Sequence, residues 1–229
     1  MIEDKKVLGL IVARGGSKGF PKKNLARVAG SPIMEYTVRE AQQSEYLDRL
    51  VISTECADIL RLAVELGCEA PFVRPSNLAT DKTSTVEVAI HAISELSDFE
   101  ILTILQPTSP LRLAADIDKT IEALVYNNAS SAVTVTEVVD HPYLTFSKNS
   151  RGALNAIVDT TGLSLRRQDL PLTYKLNGAV YSIRIADLLI QKALILDDTQ
   201  GVVIPRSRSL DIDTQDDLIE VERALAAAL

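Results

Sequence analysis

A glycine-rich, basic loop at residues 14–24 follows the first apolar run of the chain, Val7–Ala13. It combines four cations within ten residues with three glycines, namely Arg14, Lys18, Lys22 and Lys23 with Gly15, Gly16 and Gly19. Because glycine carries no Cβ, the backbone N–H groups of such a loop can converge on an anion. A buried strand that ends in this kind of loop delivers it to the edge of a sheet, where phosphate groups bind. We therefore expect a polyanionic ligand, with a nucleoside triphosphate as the first candidate.

The loop differs from the two most familiar phosphate-binding motifs. The sequence contains neither the P-loop pattern G-x-x-x-x-G-K-[ST] nor the dinucleotide pattern G-x-G-x-x-G. P-loop kinases and GTPases and nicotinamide-dependent dehydrogenases are therefore disfavoured. A flexible, solvated turn that binds nothing is the alternative interpretation of the loop taken alone.

Asp211 and Asp213 form the second candidate for chemistry. Residues i and i+2 of an extended chain point to the same side, so both carboxylates can meet one hard cation. Mg²⁺ (or Mn²⁺) bound there would bridge to phosphate oxygens held by the basic loop. The alternative is that Asp213 or Thr214 only caps the final helix.

Two polar loops directly follow predicted strands. The segment Gln106–Pro110 offers an amide and two hydroxyls that can hydrogen-bond a polyol. Arg74 and the hydroxyl-rich turn that ends at Thr85 suit the edge of a nucleobase. Both have local alternatives, which are an ordinary proline-containing loop and capping of the next helix by Thr83 or Ser84.

A second basic island, Arg166-Arg167, precedes Asn177 and Tyr181. Adjacent guanidinium groups suit bidentate binding of a carboxylate-bearing substrate. A solvated charge run is the alternative. Tyr181 is either a pocket wall or part of the core, and His141 is expected to be structural.

The composition of the chain limits the classes of partner that it is expected to bind. The 229 residues carry a formal net charge of −7, which argues against nonspecific nucleic-acid binding. No apolar run approaches the roughly 20 residues of a membrane span. Cys56 and Cys68 are the only cysteines and lack metal-ligand spacing, and the N-terminal residues lack the apolar stretch of a secretory signal. We expect a cytoplasmic protein that binds small anions, with no nucleic-acid or membrane partner.

Apolar runs alternate with helical periodicity over the first 130 residues, which predicts a mostly parallel sheet with helices on both faces. Ligands of such sheets bind beyond the carboxyl ends of the strands. The early strands are predicted at Val7–Ala13, Leu50–Ser53, Ala70–Val73, Ile101–Leu105 and Ser131–Val138. The helices between them are predicted at Ile33–Gln43, Ala57–Leu66, Thr85–Leu96 and Ala115–Tyr126. A strand at Gly178–Ile183, a helix at Ala186–Gln191, a strand at Gly201–Ile204 and a helix at Leu218–Leu229 complete the prediction.

Several local signals set the ends of these elements. Ser31-Pro32 predicts an N-cap followed by proline at the first helical position. Gly67 suits the left-handed position after a helix. Thr214–Asp217 predicts a capping box that opens the last helix.

The alternation stops at about residues 139–176. This polar segment contains turn residues but no helical pattern, so we expect extended hairpins inserted into a single domain, residues 1–229, rather than a second core. Such a ribbon is too thin to be stable alone. It is expected to pack against a partner subunit.

Seven motifs, in order along nearly the whole chain, resemble those of the CMP-sialic acid synthetases. These enzymes are cytidylyltransferases that activate nine-carbon 2-keto acid sugars. The motifs are Ala13–Asn24, Ser53-Thr54 with Ile59, Arg74-Pro75 with Leu78–Asp81, Gln106–Pro110, Arg166–Asp169, Asn177–Tyr181 and Asp211–Asp213. The resemblance implies a Rossmann-like nucleotidyltransferase fold and a homodimer whose insertion reaches the partner's active site.

The resemblance also implies a role for each motif. The triphosphate of CTP would be held by Arg14, Gly15, Ser17, Lys23 and Asn24. Cytosine would be read by Arg74, Asp81, Thr83 and Thr85. The acidic nine-carbon sugar would meet Gln106, Arg167, Asn177 and Tyr181, with Arg167 on its carboxylate across the dimer. Asp211 and Asp213 would carry Mg²⁺, and Arg14, Lys23 and Asp211 would be the catalytic groups.

Two points stay open at this level. The stretch 141–146 lacks a basic residue that some sialic acid synthetases carry there, so N-acetylneuraminate, legionaminate and pseudaminate all remain candidate sugars. The rival functions are a 3-deoxy-manno-octulosonate cytidylyltransferase and a nucleotide-binding protein that has lost turnover.

Overall fold

The computed structural model describes residues 1–16, 20–158 and 166–227, apart from the side chain of Arg167. The strands are β1 (Val7–Val12), β2 (Arg27–Val28), β3 (Ser31–Pro32), β4 (Arg49–Ser53), β5 (Ile101–Leu105), β6 (Ser131–Glu137), β7 (Phe146–Lys148), β8 (Leu154–Ala156), β9 (Tyr174–Arg184) and β10 (Gln200–Val203). The helices are α1 (Ile33–Gln42), α2 (Ala57–Glu65), α3 (Thr85–Glu95), α4 (Ala114–Tyr126), α5 (Ile185–Gln191) and α6 (Gln215–Ala227).

The central sheet has the strand order β10-β6-β9-β5-β1-β4. Strand β1 pairs in parallel with β4 and β5, and β10 pairs in parallel with β6. Strand β9 runs antiparallel to both of its neighbours, β5 and β6. The predicted mostly parallel, mixed sheet is confirmed, and the single reversed strand is what makes it mixed.

Helices cover both faces of this sheet. Ile11 of β1 packs into an apolar cluster with residues of α1, α2 and α4. Its neighbour Leu10 packs into a second cluster with residues of α3 and α5. Successive strand residues point to opposite faces, so a strand buried on both sides reads as a continuous apolar run. This is why Val7–Val12 and Ile101–Leu105 are apolar along nearly their whole length.

The strand predicted at Ala70–Val73 is wrong. Only Glu69 reaches the sheet, in an isolated parallel bridge with Val51. Pro71 has no N–H to donate, so it cannot continue a ladder at the sheet edge. The chain turns away, and Phe72 packs into the cluster that contains Leu10.

The start of α1 also differs from the prediction. Ser31 and Pro32 form a short antiparallel pair with β2, and Pro32 is the N-cap without a side-chain hydrogen bond. The Ile33 N–H donates instead to the Ala26 carbonyl at 2.9 Å, so a serine cap is not needed. Gly67 is left-handed as predicted, with φ of 82°.

The last helix begins earlier than predicted, at Gln215. The capping box that opens it is confirmed. The Asp217 N–H donates to Thr214 Oγ1 at 3.3 Å, and the Thr214 N–H donates to Asp217 Oδ2 at 2.7 Å.

Between Glu137 and Tyr174 the chain leaves the central sheet. Strands β7 and β8 form a hairpin there, and residues 159–165 lie outside the described part. His141 is structural, as predicted, since its Nδ1 accepts from the Tyr143 N–H at 3.2 Å and its Nε2 lies 3.1 Å from the Pro171 carbonyl. Strand β9 already begins at Tyr174, ahead of the predicted Gly178. Within the described ranges, no helix is both long and apolar enough to cross a membrane.

Candidate functional site

A cleft of about 270 Å³ lies beyond the carboxyl ends of β1 and β5. We call it the first cleft. It is lined by Val12, Arg14, Lys23, Asn24, Arg74, Leu78, Thr80, Asp81, Thr83, Thr85, Val88, Gln106, Pro107, Thr108, Asp211 and Asp213. Parallel strands carry their ligands at this end of the sheet. Every described residue that sequence analysis assigned to nucleotide or metal lines this cleft, except Gly15.

Cations and carboxylates pair across the first cleft. Arg14 Nη1 lies 2.7 Å from Asp81 Oδ1, and Lys23 Nζ lies 2.8 Å from Asp213 Oδ1. Asn24 is buried and its Nδ2 donates to the Arg14 carbonyl at 2.9 Å, which fixes the backbone of the loop. Ser17, a predicted triphosphate ligand, lies outside the described residues.

Gly15 is fixed by a residue that sequence analysis missed. Its N–H donates to Glu55 Oε1 at 2.7 Å. A Cβ added at Gly15 would come within 2.9 Å of Cys56 Cβ, so only glycine fits at this position. Glu55 follows the end of β4, and that position beside the loop was the one signal that could have identified it. The Gly15 amide thus anchors the loop in the free protein.

Arg74 is buried and holds two strand ends together. Its Nε donates to Ser53 Oγ at 3.0 Å, and its Nη2 donates to the carbonyls of Ala13 and Ser53. Burial lowers the pKa of Arg74 to about 10, and Glu55 partly offsets this effect. The guanidinium lines the first cleft while it supports the cleft's floor, and a contact with the base stays a prediction.

The turn before α3 carries the other predicted base contacts. The hydroxyls of Thr80 and Thr83 lie 2.8 Å apart. Ser84, rather than Thr83, caps α3, since its Oγ accepts from the Glu87 N–H at 3.2 Å in a capping box. Thr83 and Thr85 both line the first cleft.

Asp211 and Asp213 reach the first cleft on an irregular segment that precedes α6. The Ile212 N–H donates to the Thr108 carbonyl at 2.8 Å, and Ser109 Oγ donates to Asp211 Oδ1 at 3.4 Å. Burial raises the pKa of Asp211, and the charge of Asp213 adds to that rise. Thr214, not Asp213, caps α6, so the capping alternative does not explain the Asp213 carboxylate.

This pair suits a hard divalent cation. Mg²⁺ commonly takes one or two protein carboxylates and completes its shell with water and substrate phosphates. Within the described residues, no group of three or more His, Cys, Asp and Glu side chains could hold a metal. Two carboxylates that open into a cleft with Lys23 and Arg14 fit that incomplete protein shell.

A second cleft, of about 470 Å³, adjoins the first. It is lined by Gln106, Lys175, Leu176, Asn177, Gly178, Tyr181, Ser209, Leu210, Asp211 and Asp217. The structure thus brings together three of the residues predicted to bind sugar, Gln106, Asn177 and Tyr181. The side chain of the fourth, Arg167, lies outside the described part, and Arg166 pairs with Asp169 at 2.7 Å. Gln106 and Asp211 line both clefts.

The side-chain amide of Asn177 hydrogen-bonds to neighbouring elements. Its Oδ1 accepts from Thr134 Oγ1 at 2.7 Å and from the Ala179 N–H at 3.2 Å. Its Nδ2 donates to Ser209 Oγ at 3.1 Å. The side chain therefore joins β6 and β9 to the segment that carries Asp211.

A third, aliphatic pocket of about 390 Å³ opens beside Tyr181 and Gln106. We call it the aliphatic pocket. Its other lining residues are Thr85, Val86, Leu176, Ala193, Leu194 and Ile195. Burial raises the pKa of Tyr181, and Asp211 contributes to that rise, so the ring is a half-buried wall between this pocket and the carboxylates.

Arg112 is a further residue that sequence analysis missed. It is fully buried, and its Nη1 donates to the Gln106 carbonyl at 3.1 Å and to the Ala179 carbonyl at 2.8 Å. Burial lowers the pKa of Arg112 to about 10, while Asp116 and Glu40 favour its charge. Asp116 in turn pairs with Arg208, just before the segment with Asp211. Nothing in the local sequence marks Arg112 as buried.

Comparisons with known proteins agree with this geometry. A family model described as cytidylyltransferase matches residues 8–202. An N-acylneuraminate cytidylyltransferase of Streptococcus agalactiae serotype III (strain NEM316) is 31% identical over 219 residues, which are 94% of this chain and 52% of that protein. The chain spans about half the length of that curated relative.

A second relative matches over nearly its whole length. The CMP-N,N'-diacetyllegionaminic acid synthase of Legionella pneumophila is 30% identical over 225 residues, 96% of each chain. Among solved structures, a CMP:2-keto-3-deoxy-manno-octonic acid synthetase complexed with CTP superposes with a TM-score of 0.76. It is 16% identical and covers 98% of this chain and 100% of its own, which shows a shared fold.

Proposed function

The chain belongs to the cytidylyltransferase family, and we propose that it transfers CMP from CTP to the anomeric 2-hydroxyl of a nine-carbon 2-keto acid sugar. The observation that carries this proposal is the boundary between two clefts. Gln106 and Asp211 line both the first cleft, which is rich in cations, and the second cleft, which is lined by amides and hydroxyls. A triphosphate in one and a sugar in the other meet at that boundary, and such positioning is a large part of phosphoryl-transfer catalysis.

Arg14 and Lys23 would bind the triphosphate of CTP. Both cations line the first cleft, where they neutralise charge on the α-phosphate and on the departing pyrophosphate. Asn24 keeps the loop in place through the Arg14 carbonyl. The base would lie against the turn of Asp81, Thr83 and Thr85.

Asp211 is suited to take the proton of the sugar hydroxyl. It lies at the boundary of the two clefts, where its carboxylate can accept a proton from a hydroxyl held in the second cleft. The hydroxyl oxygen forms a bond to the α-phosphorus while the bond from that phosphorus to the bridging oxygen breaks. The electron pair leaves on pyrophosphate, and the proton passes to Asp211.

Asp211 and Asp213 would hold Mg²⁺ or Mn²⁺. When bound, the ion would supply positive charge to the phosphate oxygens. The chain's own part is to present both carboxylates on one side of the segment fixed by the Ile212–Thr108 hydrogen bond.

A homodimer is part of this proposal, because it would complete the sugar site. The part of the insertion that the structure describes exposes many large apolar side chains, including Val139, Leu144, Leu154, Ile157 and Leu172. Contiguous exposed apolar surface marks association sites. The family resemblance implies that Arg167 of a second copy would then meet the sugar carboxylate, which a guanidinium can bind.

The aliphatic pocket favours an acylated sugar. Val86, Leu176, Leu194 and Ile195 surround a space that adjoins Tyr181 and the second cleft. An acyl methyl group would bury apolar area there, whereas a bare hydroxyl would lose water without gaining a partner.

Pyrophosphate release tests the function. Purified protein with CTP and Mg²⁺ is offered N-acetylneuraminate, N,N'-diacetyllegionaminate, pseudaminate and the eight-carbon 3-deoxy-manno-octulosonate. We expect release that needs CTP and one of the nine-carbon acids, and loss of about 10²-fold or more in rate for Asp211→Ala.

Other outcomes would redirect the proposal. If only the eight-carbon acid triggers release, the proposed reaction stands but its sugar substrate is the eight-carbon acid. CTP binding without release by any sugar would favour a nucleotide-binding protein, and failure to bind CTP would overturn the proposal. Cytoplasmic location stays a prediction, which cell fractionation checks.

A further inference from the structure

Lys23 lies within a group of carboxylates. Its Nζ is 2.8 Å from Asp213 Oδ1, and its side chain is only 17% exposed although that of Asp213 is 72% exposed. Burial raises the pKa of Asp211, and the Lys23 charge opposes that rise. Thr214 hydrogen bonds lower the pKa of Asp217, and Lys23 adds to that effect. The 2.8 Å contact thus places the Lys23 ammonium on the Asp213 carboxylate in the free protein.

The same ammonium belongs to the loop that would hold a triphosphate. Lys23 and Asp213 both line the first cleft, and this ion pair joins them there although they come from opposite ends of the chain. While the pair is closed, the lysine is not fully available to phosphate and Asp213 is not fully available to a metal. The ion pair therefore competes with the triphosphate for Lys23 and with the metal for Asp213.

We propose that the Lys23–Asp213 ion pair is an exchangeable contact that couples metal binding to nucleotide binding. In the free protein the ammonium occupies the carboxylates. A divalent cation that takes the carboxylates releases Lys23 to the triphosphate, and a triphosphate that draws Lys23 away opens the carboxylates to the metal. This inference rests on the proposed function, because it concerns the same first cleft.

Such coupling is reciprocal and has a modest size. If the metal strengthens CTP binding by some factor through this pair, CTP strengthens metal binding by the same factor. The pair is partly exposed, and exposed ion pairs contribute little, so we expect about a twofold to fivefold effect.

Asp213→Asn tests the pair from the nucleotide side. Without metal, in EDTA, the variant should bind CTP about twofold to fivefold more tightly than wild type, because Lys23 is free. With Mg²⁺ its further gain in affinity should be smaller than that of wild type. Isothermal titration calorimetry in EDTA and in Mg²⁺ measures both CTP affinities for each protein.

Asp216→Asn is the matched control. Asp216 is an exposed acid in the first turn of α6 and makes no ion pair with the described residues. The control removes one negative charge near the cleft and leaves Lys23 paired. Its affinity change in EDTA measures general electrostatics and should be smaller than that of Asp213→Asn.

Lys23→Met tests the pair from the metal side. Without nucleotide, this variant should bind Mn²⁺ about twofold to fivefold more tightly than wild type, since the competing ammonium is gone, as electron paramagnetic resonance would show. In the Lys23→Met background, Asp213→Asn should no longer strengthen CTP binding in EDTA.

The outcomes separate this inference from the proposed function. Equal or weaker CTP binding by Asp213→Asn in EDTA, or unchanged Mn²⁺ binding by Lys23→Met, overturns the exchange while CTP binding by wild type stands. If wild type binds no CTP in either buffer, both the exchange and the proposed function fail.

Discussion

At the scale of single residues, the site depends on side chains that sequence patterns do not reveal. The glycine-rich loop was predicted from its composition, but the partner that fixes Gly15 is Glu55, from the end of another strand. Arg74 was predicted to face a base, and the contacts that the structure shows for its Nη2 are with the carbonyls of Ala13 and Ser53. Charge and spacing show that a residue can bind an anion, whereas tertiary contacts decide which of its atoms are already used.

Gly15→Ala should damage the loop, because the new Cβ would meet Cys56 Cβ at 2.9 Å. Forcing a methyl group into a packed site typically costs about 1–3 kcal/mol of stability. We expect a lower melting temperature and weaker CTP binding, measured by thermal unfolding and calorimetry.

Gly16→Ala is the control for that experiment. A Cβ at Gly16 would meet nothing within 4 Å, so this variant should behave like wild type. Equal losses for both variants would mean that loop flexibility, rather than the contact with Cys56, requires the glycine.

At the scale of elements, the prediction succeeded where hydrophobic periodicity dominates. Strand β5 was predicted with its observed ends, since Ile101–Leu105 is buried on both faces. Ala70–Val73 failed because a short apolar run beside Pro71 packs as a loop against the core, and periodicity cannot separate that case from an edge strand. Strand β9 was predicted to start too late because its first residues, Tyr174–Leu176, are exposed and carry no apolar run, although they pair with the carboxyl end of β6.

The segment before α6 is held to α4 by one ion pair. Arg208 pairs with Asp116, whose side chain is 4% exposed. Arg208→Gln leaves that buried carboxylate with a weaker partner, which should lower the free energy of unfolding by about 1–3 kcal/mol. Ser209 and Leu210, directly after Arg208, line the second cleft but not the first, so KM for the sugar should rise more than KM for CTP.

Arg206→Gln provides the comparison for Arg208. Arg206 is exposed and forms no ion pair within the described part of the chain. It should match wild type in chemical denaturation and in both KM values. A rise in the two KM values by the same factor in Arg208→Gln would show that the ion pair supports the whole domain rather than the sugar side.

At the scale of the whole molecule, the chain folds around one six-stranded sheet, and the described part of the insertion exposes large apolar side chains. Leu154, Ile157 and Leu172 are 64%, 61% and 72% exposed in the part of the insertion that the structure describes. The sequence predicted the sheet because the apolar pattern of each strand and of the helix that follows it is visible within that stretch of sequence. It predicted the insertion as extended hairpins, and the hairpin of β7 and β8 agrees with this. Packing of that hairpin against another subunit stays a prediction.

The double variant Leu154→Glu and Ile157→Glu should convert a dimer to monomers, since two charges would have to be buried in an apolar interface. Light scattering after size-exclusion chromatography measures the mass. The monomer should keep its affinity for CTP, because the first cleft lies within one chain, and should lose turnover with the sugar, because Arg167 would no longer reach the partner's second cleft. Ile190→Glu, at a side chain 74% exposed on α5 outside the insertion, should remain dimeric and active. A wild-type protein that is monomeric at assay concentration yet fully active would show that both the interface and the contribution of Arg167 across it are wrong.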